Sequence, residues 1–337
     1  MKKNIYKLLK LNARIKNHRV KFLALYFLHR LGMRYLSVNL DPVMACNLRC
    51  KMCYFTDKNY LKNLKGILNT SDSERMAQLV FKRALKLQIG CGTEPTLYKN
   101  LPELVALGKA HGVPYISLTT NANLLTESSI RKLLEAGLNE LTISLHGITK
   151  ATYENFMQQG KFEIFLQVFE TLKKLKKEFN FNVRINYTFN KDNFFELEQI
   201  FETFSGESFD ILQLRPIRKL GETSYQNFDL SEIMPHYHKL IQKIKITCRE
   251  NNVLLMAPRV IDEQMSEKTS ASALIHDYTF CYASPDFLFR KDFDWRTEDF
   301  ESYTKRIGWA KTLFRNIFKS SREIVSVSYK LNYELTF

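Results

Sequence analysis

The stretch that decides the fold is Ala45-Cys46-Asn47-Leu48-Arg49-Cys50-Lys51-Met52-Cys53-Tyr54, which follows the alternating segment Leu36-Ser37-Val38-Asn39-Leu40. The alternation predicts a β-strand. The C-x3-C-x2-C spacing predicts a short loop that wraps three thiolates around one face of an iron–sulfur cluster. A cluster ligated only by protein would bind about four thiolates, so three thiolates leave one iron open to another ligand. We therefore predict that Cys46, Cys50 and Cys53 are metal ligands.

Zinc is the main alternative for this loop. A zinc site would need a fourth Cys or His, and the nearest histidines, His29 and His111, are distant in sequence. A third alternative is that the loop binds no metal. The chain has 6 cysteines, and three of them lie in this one loop. In a reducing compartment such a group is typical of a metal site rather than of disulfides.

Strand and helix patterns alternate after the loop and predict an α/β fold with a parallel sheet and helical crossovers. The loops that follow the strands should then meet at one end of the sheet, where active sites of parallel barrels lie. The predicted strands are 36–40, 87–92, 115–120, 140–145, 182–189 and 210–215, and the predicted helices are 71–87, 101–111, 127–136, 162–179 and 194–204.

The two ends of the chain differ from this core. Residues 2–34 have helical periodicity, and residues 1–40 carry ten Lys or Arg and no acid before Asp41. Beyond residue 225 we expect helices at 231–249 and 305–319, a polar loop at 262–280 and a period-two strand at 325–337. The predicted domains are a basic amphipathic arm (1–35), a core (36–225) and a C-terminal extension (226–337).

The cysteine loop resembles the signature loop of the radical S-adenosylmethionine (radical SAM) superfamily, and three later segments resemble its motifs in order and spacing. These segments are Gly92-Thr93-Glu94-Pro95, Thr119-Thr120-Asn121-Ala122 and Ser144-Leu145-His146-Gly147. Thr93 stands where the family has a second glycine. The resemblance covers residues 36–220. It implies a partial (β/α)6 TIM-like barrel, here with an N-terminal basic helical arm and a C-terminal α+β extension.

The resemblance also implies two cofactors, one [4Fe–4S] cluster and S-adenosyl-L-methionine (SAM). Only Cys248 and Cys281 lie beyond the barrel, too few for a second cluster. The implied SAM contacts are Glu94 with the backbone of Gly92 and Thr93 for the methionine amino group, Asn121 and Ser144 for the ribose or carboxylate, Arg184 for the carboxylate, and the backbone near Tyr54 for adenine. His146 is the candidate catalytic acid or base on the substrate side.

The implied activity is reductive cleavage of SAM to a 5′-deoxyadenosyl radical, which abstracts hydrogen from a substrate. A flavodoxin- or ferredoxin-type electron donor follows as a partner. We expect a peptide or protein substrate, with a lipid-linked, small-molecule or RNA substrate as the alternative within the superfamily. The alternative outside it is a non-enzymatic metal-binding or membrane-adaptor protein.

The formal charge of +15 bears on location and partners. The basic arm and the 305–319 helix could contact the inner face of a membrane peripherally. No apolar run approaches the roughly 20 residues of a spanning helix, and no signal peptide is evident, so we expect a cytoplasmic protein. Nucleic acid is disfavoured as a partner because the chain has no aromatic-rich recognition motif.

Overall fold

The computed structural model describes residues 4–219, 221–258, 261 and 271–320. Its strands form one sheet of nine, in the order β7-β6-β5-β4-β3-β2-β1-β8-β9. All neighbours pair in parallel except β8 and β9. The strands are β1 (Leu36–Leu40), β2 (Ala84–Ile89), β3 (Ile116–Thr120), β4 (Glu140–Leu145), β5 (Asn182–Phe189), β6 (Ile211–Pro216), β7 (Leu254–Met256), β8 (Phe280–Ser284) and β9 (Phe287–Leu288).

Helices connect the parallel strands. Because β1 to β6 are adjacent in chain order, right-handed crossovers place these helices on one face of the sheet and leave the other face to curve inward. The α-helices are α1 (Asn4–Arg14), α2 (His18–Arg30), α3 (Lys58–Asn63), α4 (Thr70–Val80), α5 (Leu101–Ala110), α6 (Glu127–Glu135), α7 (Lys150–Phe156), α8 (Phe162–Leu175), α9 (Ile200–Thr203), α10 (Met234–Glu250), α11 (Ala271–Thr279), α12 (Phe300–Arg306) and α13 (Trp309–Phe318).

The core packs between the outer face of the sheet and the helices. In β4, Leu141, Ile143 and Leu145 are at most 1% exposed and belong to the main hydrophobic cluster. The inner face is different. In β5 and β6 its positions are half-buried and alternate with fully buried outer ones. The partial α/β barrel that the sequence predicted is thus confirmed, and its bore is polar and accessible.

The predicted β4 and β5 match the observed bounds, and several predicted helices were wrong in part. Within the predicted helix 194–204, Phe195–Gln199 is a 3-10 helix and only Ile200–Thr203 is α-helical. The predicted helix 71–87 ends at Val80, because a 3-10 turn over Phe81–Arg83 closes it and residues 84–89 pair with β1 as β2. The predicted helix 305–319 is divided by Gly308, whose φ of 63° lies in the left-handed region, into α12 and α13.

The predicted polar loop 262–280 was wrong over its described part. Residues 271–279 form α11 and Phe280 begins β8, which pairs with β1. The predicted strand 325–337 lies outside the described residues. The three-domain division stays a prediction, although Phe22, Val38 and Leu313 share one hydrophobic cluster.

Candidate functional site

The cysteine loop leaves the carboxyl end of β1 and crosses the open end of the barrel. Its backbone is tied to distant loops: Arg49 N–H donates to Gln158 O at 2.9 Å, and Lys51 N–H donates to Phe156 O at 2.9 Å. Lys51 O in turn accepts from Tyr225 N–H at 3.0 Å. These bonds hold the loop over the bore, as the parallel topology predicted.

The three thiols are half-buried, unoxidised and close enough to influence each other. Burial raises the pKa of the Cys50 thiol, and the neighbouring Cys53 and Cys46 raise it further. Burial raises the pKa of Cys46 to about 11, while the Leu48 N–H, 3.4 Å from Cys46 Sγ, and the Arg49 guanidinium lower it. Thiolates gathered here would need a cation or metal to offset their charge.

This donor set fits an iron–sulfur cluster. Thiolates are the ordinary cluster ligands, and N–H groups directed at their sulfurs tune the cluster. The zinc alternative needs three or more ligating side chains that converge on one ion. Among the residues the structure describes, no such group of His, Cys, Asp or Glu is present.

Asp41, at the end of β1, organises the Gly92–Thr93 loop, and sequence reasoning missed it. Its carboxylate is 1% exposed and accepts from Cys91 N–H at 2.7 Å, Gly92 N–H at 3.2 Å and Thr93 Oγ1 at 3.1 Å. Tyr282 of β8 donates to it at 3.0 Å. The only signal in the sequence was its position directly after the first strand. Thr93, which replaces a glycine of the family motif, uses its hydroxyl to hold this loop.

The Glu94 carboxylate binds groups of its own loop and of β3, and its expected contact with the SAM amino group stays a prediction. Glu94 is 2% exposed, and its two oxygens accept from the Thr96 and Thr120 hydroxyls and from Asn121 N–H at 2.6, 2.7 and 2.8 Å. Burial raises its pKa although these bonds lower it. The carboxylate ties the motif to the end of β3. Backbone contacts of the motif stay a prediction.

Asn121 bridges β3 to the cysteine loop. Its Nδ2 donates to Asn47 Oδ1 at 2.8 Å and lies 3.9 Å from Cys46 Sγ, and its Oδ1 accepts from Asn123 N–H at 3.0 Å. Ser144 lies half-buried on the inner face of β4, beside Asn186 of β5. Contact of Asn121 and Ser144 with SAM stays a prediction.

Tyr54 closes over the glycine motif. Its hydroxyl donates to Gly92 O at 2.5 Å, and a Cβ at position 92 would overlap the Tyr54 Oη. Gly92 is therefore required for this close approach. The ring also packs against Phe55 in a tilted contact and against Tyr60 edge to face. Adenine contact near Tyr54 stays a prediction.

Arg184 is bound by side chains of β4, β6 and α1, and its predicted contact with the SAM carboxylate stays a prediction. It forms a buried ion pair with Glu140, donates to the Tyr6 hydroxyl of α1, and donates to Gln213 Oε1 at 3.0 Å. Glu140 also accepts from Tyr115 at 2.6 Å. Burial alone raises the pKa of Glu140, but the Arg184 and Lys86 charges and the tyrosine bonds lower it below its usual value. These residues form the floor of the barrel.

His146 follows β4 at the mouth of the bore. Burial lowers its pKa to about 4, and the Arg215 charge lowers it further, whereas a bond to the Thr188 backbone raises it. The imidazole is therefore neutral near pH 7 and could accept a proton or a hydrogen bond. Its catalytic role stays a prediction.

The bore between floor and mouth has unused hydrogen-bonding capacity. Of the buried polar side-chain atoms without a partner in the described residues, four belong to this inner face: Ser117 Oγ, His146 Nδ1, Arg184 Nε and Asn186 Oδ1. Lys86 extends from β2 into the same space, where burial and then the Arg184 charge lower its pKa to about 8. Buried polar atoms normally find partners, so this bore is suited to a polar ligand.

The family model of the radical SAM superfamily matches residues 41–204, from Asp41 through the cysteine loop and beyond β5. These residues are a radical SAM domain. Enzymes of this superfamily use a [4Fe–4S] cluster and SAM, the cofactors that the sequence predicted. None of the helices in the described part of the chain has the length and apolar content that crossing a bilayer requires.

Curated relatives carry the name of a nucleotide enzyme. The chain is 28% identical over 192 residues to a probable GTP 3′,8-cyclase of Sulfolobus acidocaldarius, covering 56% of this chain and 59% of the relative. It is 27% identical over 196 residues to the GTP 3′,8-cyclase of Aquifex aeolicus, covering 56% of this chain and 58% of the relative. The chain thus spans less than two thirds of the length of these two relatives.

Solved radical SAM structures share the fold. Streptococcus suis SuiB bound to S-adenosylmethionine superposes with a TM-score of 0.63 at 17% identity, covering 84% of this chain and 68% of that one. Native anSMEcpe with bound AdoMet superposes with a TM-score of 0.56 at 19% identity, covering 88% of this chain and 84% of that one. At these identities the likeness is one of fold.

Proposed function

We propose that this protein cleaves SAM reductively at a [4Fe–4S] cluster held by Cys46, Cys50 and Cys53, and that it acts on a small, polar, anionic molecule in the barrel. The observation that carries the first part is the placement of three thiols, with N–H donors and the Arg49 guanidinium beside them, over the open end of the barrel. The cofactors supply one-electron cleavage of SAM and a 5′-deoxyadenosyl radical.

The chain's own residues provide positioning. Asp41 and Glu94 fix the loops that follow β1, β2 and β3, so the Gly92 and Asn121 segments are held before any ligand arrives. Such preorganisation reduces the entropy lost on binding. The floor formed by Tyr6, Glu140 and Arg184 closes the amino end of the bore to water.

The bore supports the small-molecule class. Lys86, Arg184 and Arg215 share its inner face with one buried carboxylate, Glu140, so the face carries excess positive charge. The unpartnered atoms of Ser117 and Asn186 add hydrogen-bonding sites. The name of the curated relatives makes a purine nucleoside triphosphate the first molecule to test.

The peptide expectation has less support. Structures of peptide-binding relatives share this fold at 17–22% identity, which does not extend to substrate, and the strand 325–337 that could pair with a peptide lies outside the described residues. We further propose a flavodoxin- or ferredoxin-type donor, because the cleavage consumes an electron, and a cytoplasmic location, because the thiols must stay reduced.

Anaerobic reconstitution with iron and sulfide tests the cluster and cleavage. With dithionite and SAM we expect visible cluster absorption and 5′-deoxyadenosine. Cys50→Ala should remove both, whereas Cys248→Ala, which changes a buried cysteine on α10, should retain both. A colourless zinc-loaded protein that never forms 5′-deoxyadenosine would contradict the proposal.

Substrate class is tested in the same reaction with GTP, other nucleotides and peptides. We expect a nucleotide to raise 5′-deoxyadenosine formation. Lys86→Met should raise the nucleotide concentration required by about tenfold, since a charged hydrogen bond contributes about 1.5–3 kcal/mol. Lys239→Met, on the exposed surface of α10, is the control. Stimulation by peptides alone would overturn the small-molecule proposal and leave the cleavage proposal intact.

A further inference from the structure

Helices α2 and α13 present a continuous apolar surface to solvent. Val20, Leu23 and Phe27 recur at helical spacing on α2, and Leu31 follows directly after its last residue. These four side chains are 48, 43, 52 and 69% exposed. On α13, Phe314 and Phe318 are one turn apart and are 46 and 68% exposed. The six residues together are called the α2–α13 face.

The two helices are packed together, so these side chains form one surface. His18 Nε2 lies 2.9 Å from Lys319 O, which joins the start of α2 to the end of α13. The Tyr26 ring contacts both Phe27 and Phe314, and Phe314 contacts Phe318, at centroid distances of 5.3–5.5 Å. Exposed apolar patches of this kind mark interaction sites on soluble folds.

Positive charge borders the face. Lys311, Arg315 and Lys319 are exposed beside the two phenylalanines of α13, and Arg19 and Arg30 are exposed at the two ends of α2. Neither helix contains an Asp or Glu. Phenylalanine and leucine next to lysine and arginine is the composition of helices that lie in a membrane interface.

We propose that the α2–α13 face docks this enzyme onto a membrane surface rich in anionic lipid. The apolar side chains would enter the boundary between headgroups and acyl chains, and the basic side chains would contact lipid phosphates.

Charge argues against two other occupants. A second copy of the chain would place the same cationic face against itself, with no carboxylate on either helix to compensate. Residues 321–337 contain two basic residues, Arg322 and Lys330, and two acidic ones, Glu323 and Glu334, so their formal charge is zero and does not complement the face.

Vesicle flotation of the full-length reconstituted protein tests the proposal. We expect it to float with phosphatidylcholine vesicles that contain phosphatidylglycerol, and not with pure phosphatidylcholine. Lys311→Gln and Arg315→Gln should each weaken partitioning about fivefold, since a basic residue near the surface contributes about 1 kcal/mol. Lys239→Gln is the charge control, and high salt should weaken binding.

The apolar part is tested with Phe27→Ser and Phe318→Ser, matched by Ile246→Ser, which alters a side chain 56% exposed on α10. Each phenylalanine change should weaken partitioning about tenfold or more, given about 1.5–3 kcal/mol for full burial of such a side chain. The control should have no effect, and circular dichroism and cluster absorption should be unchanged in all three.

Three results would overturn the proposal. In the first, the wild-type protein does not float with anionic vesicles. In the second, the Ile246→Ser control reduces flotation as much as Phe318→Ser does. In the third, the protein floats only after residues 321–337 are removed. The last result would identify those residues as the occupant of the face. If the protein does not float but forms dimers that Phe27→Ser dissociates, the occupant of the face is a second copy of the chain.

Discussion

The two ends of the barrel are built differently. At the carboxyl end, Asp41 and Glu94 accept hydrogen bonds from backbone N–H groups and hydroxyls of neighbouring loops. At the amino end, Glu140 and Arg184 form a buried ion pair sealed by Tyr6. The first arrangement holds loops in place around an opening. The second closes the bore with charges that depend on each other.

The difference predicts different consequences of mutation. Buried partners that are both charged leave an uncompensated charge when one is removed, whereas a carboxylate that binds neutral donors leaves unsatisfied hydrogen bonds. Changes in the floor should therefore mainly reduce stability, and changes at the rim should mainly impair cofactor binding.

Arg184→Met is expected to have the largest effect. It leaves the Glu140 carboxylate buried without its cation and should lower the free energy of unfolding by about 3–5 kcal/mol. Arg131→Met is the control, because Arg131 also pairs with carboxylates, Glu127 and Glu178, but at the surface. That change should lower the free energy of urea unfolding far less, because solvent screens surface ion pairs. Equal losses would remove the distinction between floor and surface pairs.

Asp41→Asn tests the rim. The amide presents a donor where Cys91 and Gly92 N–H groups already donate, so we expect a loss of about 1–3 kcal/mol in stability. SAM affinity of the reconstituted protein, measured calorimetrically, should fall as well. The comparison variant is Asp286→Asn, whose side chain is 83% exposed. Unchanged SAM affinity in Asp41→Asn would show that this loop does not position the cofactor.

Tyr6→Phe sharpens the description of the floor. It removes one hydroxyl that bonds to Glu140 and Arg184 while keeping the ring, and should cost about 1–2 kcal/mol in thermal or urea unfolding. Tyr60→Phe, at a ring 44% exposed, should have almost no effect. If the two changes were equal, α1 would not contribute to closing the bore.

His146 gives the smallest effect, and it depends on pH. Its pKa is lowered from 6.5 to about 4 by burial and then by Arg215, so between these values the unfolded chain binds a proton that the folded chain does not. The stability therefore decreases as pH falls through this window.

His146→Gln should remove that part of the pH dependence in urea unfolding measured at pH values across the window. His238→Gln, at an exposed imidazole on α10, should leave the dependence unchanged. A wild-type profile that is flat over this range would contradict the neutral, buried state of His146.

Local patterns in the sequence determined the cysteine loop and the strands that carry it. The spacing of Cys46, Cys50 and Cys53 and the alternation of β4 and β5 are short-range features, so the cysteine loop, the parallel sheet and the superfamily could be predicted from them. Periodicity predicted less well where a tight turn intervened, as at Val80 and Gly308.

Tertiary structure alone decided the floor, the partners of the motif carboxylates and the α2–α13 face. Tyr6 and Glu140 are 134 residues apart, and Glu140 and Arg184 are 44 apart, so no spacing rule brings them together. Arg184 could be read from sequence as a SAM ligand because a strand pattern fixes which face a side chain occupies, but not toward which end of the barrel a long side chain extends. That direction is set by the partner it meets, and the partner is known only once the chain has folded.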